Sequence, residues 1–426
     1  MILIIRLLRN RITIIYQILI DLFVYFLLIV IFNKFEKIEV INYINIYIWI
    51  FLSFIFDRYH LREYKYKLLL NYFFKTIFIY SILLMINISS INIILILTIH
   101  LICSLFIQPT YIKLNYKDIV KVKKWITNDN RLIQLYKSKS FSFRNHKIYL
   151  FDKNSNYDYS NYCGFILDNS ASNYESIKII LNKNKTLKSF FSLNWCEIYL
   201  ESLPLDFISS SILCNNLNEI NYINNIKLFS STKRLFEYIF SLILIICSIP
   251  LIAFFAILIY FQDGIPIFYS QVRTGIDKTN IRIFKIRSMR NNSEVDGPQW
   301  SKKDDPRITF IGKLIRKNRI DELPQLISVI KGDLSLIGPR PERPEIDQIL
   351  KKDIFLYDKR YSVKPGITGW AQVNYPYGAS LDDALIKQSY DLYYVKNFSF
   401  ALDFIIFLKT IRLIFNRRGA IPIGNE

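Results

Sequence analysis

The chain has 426 residues, 52% of them hydrophobic, and carries 55 Lys and Arg against 35 Asp and Glu, a formal net charge of +20. An evenly mixed soluble chain is excluded, because apolar residues gather in the first 107 positions and again near 239–261. The basic excess calls for an acidic partner, and no zinc-finger, aromatic RNA-binding or basic-zipper pattern is present to make that partner nucleic acid.

Anionic lipid headgroups and phosphorylated substrates fit better, since the basic residues flank the apolar stretches. Excess lysine that merely solubilises an Ile/Asn/Lys-biased chain is the plainer alternative. Cys103, Cys163, Cys196, Cys214 and Cys247 are scattered without a Cys-x-x-Cys, so they read as reduced and metal-free. No small-residue cleavage site follows the first apolar stretch and further spans come after it, so no cleavable signal peptide is expected.

Four hydrophobic stretches, 12–32, 41–56, 68–86 and 91–107, are long enough or nearly so to cross a bilayer core of about 30 Å as helices, the second being the shortest. Arg6, Arg9 and Arg11 precede the first, Arg58, Arg62, Lys65 and Lys67 follow the second, and Lys113, Lys117 and Lys121 follow the fourth. Both ends of this pair of hairpins are therefore expected on the cytoplasmic side. Asp21 and Lys75 lie inside spans. With no third buried charge they suggest helix pairing or snorkelling rather than a transport path.

Residues 109–225 are polar, rich in Asn and Ser, with short apolar runs at 147–151, 164–167 and 197–200 that predict strands of a small α/β domain. A nucleotide site needs a glycine-rich turn after the first strand. Asp152-Lys153-Asn154-Ser155 supplies none, so a scaffold or dimerisation role is expected. The segment 233–261 begins with Lys233-Arg234, stays apolar for about twenty residues and carries Ser248 and Pro250 at its centre. Proline inside a helix removes a hydrogen bond and bends it. An ordinary kinked span and a helix that enters and leaves on one face both fit locally. The basic, catalytic-looking sequence beyond 264 favours the second, if it is to share a compartment with residues 109–225.

Four clusters carry chemistry. In Arg316-Lys317-Asn318-Arg319-Ile320-Asp321-Glu322-Leu323-Pro324-Gln325, two adjacent carboxylates lie among cations. The proline is tolerated only in a first helical turn, so Asp321 is expected at a helix N-terminus, which favours its ionised form and a bound anion. A helix cap with solvated charges is the bland reading. Gly338-Pro339-Arg340-Pro341 stiffens a loop around an arginine suited to phosphate. Phe284-Lys285-Ile286-Arg287-Ser288 alternates so that a strand would put Lys285 and Arg287 on one face, or would be an edge protected by lysine. Lys364-Pro365-Gly366-Ile367-Thr368-Gly369-Trp370 joins a Gly/Pro turn to an aromatic. Together these meet the needs of phosphoryl transfer. A carboxylate approaching a diphosphate needs arginines and a divalent cation to neutralise the oxygens, and Mg²⁺ suits a site with few carboxylates.

These motifs, with Gln271-Val272-Arg273-Thr274-Gly275, Asp305-Pro306-Arg307 and Asp391-Leu392-Tyr393-Tyr394 in this order, resemble the catalytic domain of the monotopic phosphoglycosyl transferases. This is the bacterial sugar transferase family that initiates exopolysaccharide assembly, and the likeness runs from about Lys233 to about Arg418. The resemblance implies that Asp321 is the nucleophile that takes a phosphosugar covalently from a UDP-sugar and releases UMP, with Glu322 its partner and Mg²⁺ on Asp321. Lys285, Arg287, Arg316, Arg340 and Pro341 would then surround the diphosphate, Asp391 would support the site, and undecaprenyl phosphate would accept the phosphosugar. Ser248 and Pro250 correspond to the break of a re-entrant helix, although Ile249 stands between them where relatives often join Ser to Pro.

The architecture implied is a membrane protein: a four-helix transmembrane bundle (1–108), a cytosolic, degenerate Rossmann-like α/β domain with linker (109–232), a re-entrant helix (233–263) and a mixed, mostly helical catalytic domain with interfacial amphipathic helices (264–426). The stretch 402–418 would be one of these, lying in the headgroup plane, with a core helix as its alternative. The catalytic domain would face the cytoplasm at the bacterial inner membrane, with UDP-sugar, undecaprenyl phosphate and membrane lipids as partners and a homo-oligomer left open. A catalytically dead membrane scaffold for a polysaccharide assembly complex is the rival reading. The sequence does not name the sugar.

Overall fold

A computed structural model describes residues 12–33, 41–56, 58–60, 66–87, 91–114, 122–208 apart from 139, 140, 142, 144, 145, 154, 156 and 169–172, and 223–415 apart from 292, 294–304, 376, 377 and 379. The flanking charges Arg6, Arg9, Arg11, Arg62, Lys65, Lys117, Lys121, Arg417 and Arg418, with Asn154 and Cys214, lie outside the described residues. The chain forms two compact units.

The first unit holds α1 (Ile12–Asn33), α2 (Ile41–Ile55), α3 (Tyr66–Ile86) and α4 (Ile91–Leu114). Segments within α1 and α4 are long and apolar enough to cross a membrane, at Ile14–Ile31 and Ile93–Leu114, while those in α2 and α3 are shorter. Their inward faces share one core of Tyr25, Leu28, Ile29, Ile46, Trp49, Ile79, Leu83, Ile96 and Leu97. The outward faces keep large apolar residues exposed, such as Phe23, Phe26, Tyr47 and Phe74, as expected of helices that meet hydrocarbon rather than water.

The expectation of no third buried charge fails here. Arg58, read above as a flanking cation, is fully buried and pairs with Asp21 at 2.5 Å. The carboxylate also accepts from Trp49 Nε1 at 3.0 Å, Tyr59 Oη at 2.8 Å, Ser104 Oγ at 3.0 Å and Gln108 Nε2 at 2.8 Å. The guanidinium donates to Thr76 at 3.1 Å, Ser53 at 3.2 Å, Tyr72 at 2.9 Å and Ser104. All three guanidinium nitrogens and the carboxylate are thereby satisfied from all four helices, which is the condition for keeping an ion pair inside.

The α/β segment falls mostly in the second unit, with residues 123–125, Arg144–Lys147 and Asp158–Cys163 counted to the first. β1 (Lys123–Thr127), α5 (Asn130–Lys137), β2 (His146–Leu150), β3 (Gly164–Leu167), α6 (Tyr174–Lys183) and β4 (Lys188–Phe191) make a sheet of order β2-β1-β3-β4, with β3 and β4 parallel. At the carboxyl ends of β1 and β3, where an open α/β sheet takes ligands, Arg131 instead bonds Asp129 at 3.1 Å and Asp168 at 3.0 Å. Two corrections follow. The run 197–200 is the last turn of helix α7 (Ser192–Tyr199) and its C-cap Leu200, and β1 and β4 were not anticipated. A four-residue apolar run does not tell strand from buried helix.

Helix α8 runs from Ile223 to Asp263 with Pro250 inside it. Ser248 Oγ donates to the Ile245 carbonyl at 2.9 Å, the local satisfaction expected near a proline. The base of α8 is locked to the rest of the unit: Lys233 Nζ reaches Asp403 at 2.8 Å, the Ile337 carbonyl at 2.8 Å and Tyr394 Oη at 3.0 Å. Glu237 accepts the Leu336 amide at 3.0 Å and the Ser335 hydroxyl. Past Pro250 the helix meets the unit again, where Phe255 and Ile259 join Ile286, Ile315 and Ile320 in one cluster.

Next come the hairpin β5 (Phe268–Thr274) and β6 (Asn280–Ile286), α9 (Phe310–Lys317), a 3-10 run Ile320–Gln325 continuing into α10 (Leu326–Lys331), and β7 (Ser335–Ile337). Then follow α11 (Pro344–Asp353), a 3-10 run Tyr357–Ser362, β8 (Gly366–Thr368), α12 (Trp370–Asn374), α13 (Leu381–Lys396) and α14 (Phe400–Phe415). α14 buries Leu402 and Ile406 yet exposes Phe400 and Phe404. The α/β segment docks on this body: Trp370 Nε1 donates to the Glu201 carbonyl at 2.8 Å, Leu203 N to Ser389 O at 2.9 Å and Lys396 to Glu197 at 2.9 Å.

Candidate functional site

The site is assembled by three neighbours: β6, the 3-10 run Ile320–Gln325 and the loop after β7. Parallel pairing of β7 with β8 lays Gly338-Pro339-Arg340-Pro341 against Pro365-Gly366. Gly338 N bonds the Thr368 carbonyl and Gly366 N the Pro339 carbonyl, each at 2.9 Å. A Cβ on Gly366 would lie 2.1 Å from Gly338 N, so glycine is required by the close approach of two backbones.

The 3-10 run turns three residues per revolution, so Ile320 and Leu323 share one face. Both pack with Phe255, Ile259 and Ile315. That leaves Asp321 and Glu322 on the other two faces, and both are buried. Arg319, just before, holds a left-handed backbone at φ 58°, which costs a non-glycine residue about 1–2 kcal/mol. It places its guanidinium 3.5 Å from Glu322.

The two carboxylates differ sharply. Glu322 accepts Arg340 Nη2 at 2.7 Å and has Lys285 Nζ at 3.7 Å. Burial opposes its ionisation, but Arg340, Arg319 and Lys285 outweigh that and hold it well below the usual carboxylate range. Asp321 has no such lock: its Oδ1 is buried without a hydrogen-bond partner. Burial, and then the charge on Glu322, push its pKa up to about 6 against the pull of Lys285, Arg316 and Arg319. Lys285 is brought down to about 8, by burial first and by Arg340 and Arg273, with Glu322 opposing.

Asp321 does lie in the first turn, as expected, but the run is 3-10 and α10 only six residues long. The expectation that this position favours the ionised form of Asp321 does not hold: burial and Glu322 raise its pKa despite the surrounding cations. Arg316, on α9, donates Nε to Ser288 Oγ at 2.8 Å.

The expected sharing of one face by Lys285 and Arg287 is not what the structure shows. β6 ends at Ile286, and the buried Arg287 turns to cap α8, donating to the carbonyls of Asp263 at 2.9 Å and Gly264 at 2.7 Å. Asp391 likewise lies behind the site, with Arg360 Nη2 at 2.9 Å. Burial raises its pKa to about 6, with Arg360 opposing and Glu342 adding. Pro341 contributes its carbonyl, which Arg273 Nη1 reaches at 3.3 Å.

Arg319, Arg273 and Arg360 were given no role from sequence. The spacing of Arg319 three residues before Glu322 was the available signal for one of them. Arg273 and Arg360 are brought in only by long-range packing. Among the described residues no group of three or more His, Cys, Asp or Glu could hold a metal. The uncommitted Oδ1 of Asp321 nonetheless fits Mg²⁺, which takes one or two carboxylates and fills its shell with phosphate oxygens and water.

A cluster of cations around two unequal buried carboxylates, in a unit that includes a long apolar helix, is suited to binding phosphate. The bacterial sugar transferase family profile matches residues 228–417. A UDP-N-acetylgalactosamine-undecaprenyl-phosphate N-acetylgalactosaminephosphotransferase of Aeromonas hydrophila is 43% identical over 203 residues, 48% of this chain and 48% of that protein. An undecaprenyl-phosphate glucose phosphotransferase of Komagataeibacter xylinus is 39% identical over 194 residues, 44% of this chain and 36% of the relative. The uncharacterized sugar transferase EpsL of Bacillus subtilis is 39% identical over 191 residues, 44% of this chain and 89% of EpsL. The chain belongs to the bacterial sugar transferase family, and it spans about half or less of the length of the first two relatives.

Proposed function

We propose that this protein transfers a sugar 1-phosphate from a UDP-sugar to undecaprenyl phosphate through a covalent aspartyl intermediate. The observation that carries the reading is the inequality of the pair: Glu322 is consumed by three cations, whereas Asp321 keeps a buried, uncommitted oxygen beside them. Asp321 Oδ attacks the phosphorus that bears the sugar, the bond from that phosphorus to the bridging oxygen breaks, and UMP leaves. An oxygen of undecaprenyl phosphate then attacks the same phosphorus, and the bond to Asp321 breaks.

Lys285, Arg316 and Arg340 neutralise the phosphate oxygens that would otherwise repel the carboxylate. Glu322 holds Arg340 and Lys285 in place for this. Mg²⁺, held by Asp321 and substrate, would supply further neutralisation of the diphosphate.

We read α1–α4 as a transmembrane bundle and α8 as re-entrant, with the catalytic residues at the cytoplasmic face of the inner membrane and α14 in the headgroup plane. Supporting the re-entrant reading, α8 touches the same compact unit before and after Pro250, while Leu242, Ile243, Ile246, Ile249 and Phe254 between stay exposed. Single cysteine labels just before 233 and after 264 should both react only from the cytoplasmic side; opposite reactivity makes α8 a true span.

The reaction is tested by intact-protein mass spectrometry on protein incubated with a panel of UDP-sugars, with and without Mg²⁺, together with UMP release. A phosphosugar adduct is expected on the native protein and absent from Asp321→Asn. Undiminished turnover by that variant would sink the reading.

A further inference from the structure

We propose that Arg360 is a positioning residue of the transfer centre: it fixes the loop that aims Arg340 at Glu322. The inference rests on the reading of Asp321 and Glu322 as that centre. Each residue of 338–341 is held from outside the loop. Thr368 takes the Gly338 amide and Gly366 the Pro339 carbonyl, each at 2.9 Å. Arg360 Nη2 takes the Arg340 carbonyl at 2.8 Å and Arg273 Nη1 the Pro341 carbonyl at 3.3 Å.

Of these four contacts, the one on Arg340 itself comes from an interior charge. Arg360 is only 7% exposed, and burying a guanidinium costs several kcal/mol unless it is paired and hydrogen-bonded. Its two terminal nitrogens are partnered, and Nε is buried without an acceptor among the described residues. Nη1 donates to Tyr357 Oη at 2.6 Å, and Tyr357 in turn donates to Asp347 at 2.8 Å. Asp347 also accepts the Thr274 hydroxyl, which ties the set to β5. Asp391, on α13, supplies the counter-charge at 2.9 Å, and the rings of Tyr357 and Tyr361 lie 5.0 and 5.9 Å from the guanidinium carbon.

The fork thus spans two supports and a single acceptor in the loop. Arg340 carries its own guanidinium 2.7 Å from Glu322. A loop carbonyl released on one side lets that head drift, and a displacement near 1 Å at a transfer centre costs on the order of 100-fold in rate.

The full chain in lipid nanodiscs is assayed for UMP release, with undecaprenyl phosphate and whichever of UDP-glucose, UDP-galactose or UDP-N-acetylgalactosamine supports turnover. Arg360→Met and Arg360→Lys are made alone and on an Arg340→Lys background, with rates normalised to monodisperse folded protein. Arg360→Met is expected to lower kcat/KM for the donor about tenfold to 100-fold in the native background, with Arg360→Lys recovering part of it. On the Arg340→Lys background the same change is expected to cost little. Equal losses in both backgrounds mean that Arg360 acts on folding alone and overturn the proposal, as does no loss in either.

Hydrogen exchange at the amides of Gly338, Arg340 and Glu342 is read on the same proteins. Faster exchange there in Arg360→Met, with α6 unchanged, supports the proposal, and unchanged loop exchange refutes it. Native protein without turnover on any donor would instead bring down the reading of Asp321 and Glu322, while the exchange data still decide what Arg360 does.

Discussion

Replacing Asp21 by Asn removes the one carboxylate paired with Arg58 among the described residues, a guanidinium with 0% side-chain exposure. The four hydroxyl acceptors around it remain, but none carries charge. Removing one partner of a buried ion pair costs about 3–5 kcal/mol, because the other charge stays behind uncompensated. Arg58→Met is expected to cost a similar amount from the opposite side, softened by the neutral donors that still reach Asp21.

The double variant should be far less damaged than the sum, since no net charge is left inside, and the coupling should fall at about 2–3 kcal/mol. Purified proteins in one detergent, followed by intrinsic fluorescence through thermal unfolding and by monodispersity on size exclusion, give the comparison. Additive losses, or a double variant worse than either single one, would refute the claim that the two charges are interdependent.

Asp391 yields a pH dependence with a definite sign. Its carboxyl has a pKa of about 6 in the folded chain against about 4 when unfolded. The native state therefore binds more protons between those values, and stability falls as pH rises through that window. Asp391→Asn lacks this term, so the melting temperature of native protein relative to the variant should decline from pH 4 to pH 6.5; a flat or rising difference contradicts the assignment. Gly366→Ala should destabilise the β7–β8 pair and lower UMP release at least tenfold, because its Cβ would lie 2.1 Å from Gly338 N. A fully active, equally stable Gly366→Ala protein would show that the two strands separate at no cost.

Local chemistry made much of the protein legible. Spans of unbroken apolar residues marked α1 and α4, and proline with paired acids marked the first turn at Asp321. What escaped was whatever depends on distant partners. Arg58 sits at the end of an apolar stretch and reads as a membrane-flanking cation, because nothing nearby reveals that Asp21 waits 37 positions earlier. Arg287 follows a strand by one residue, so an alternation rule carried it to the wrong face once β6 had ended. Arg360 lies in Tyr357-Asp358-Lys359-Arg360, which locally resembles a solvated charged turn, and only the packing of α13 over it makes it interior.

The lock at Lys233 and Glu237 leaves α8 no soft joint where it departs from the folded body. A lever bolted at its root transmits torque. If α8 lies in lipid as proposed, hydrophobic mismatch would load it, and the load would pass by way of Ser335, Leu336 and Ile337, the strand that precedes the Arg340 loop. A change in bilayer thickness would then be felt at the loop that carries Arg340.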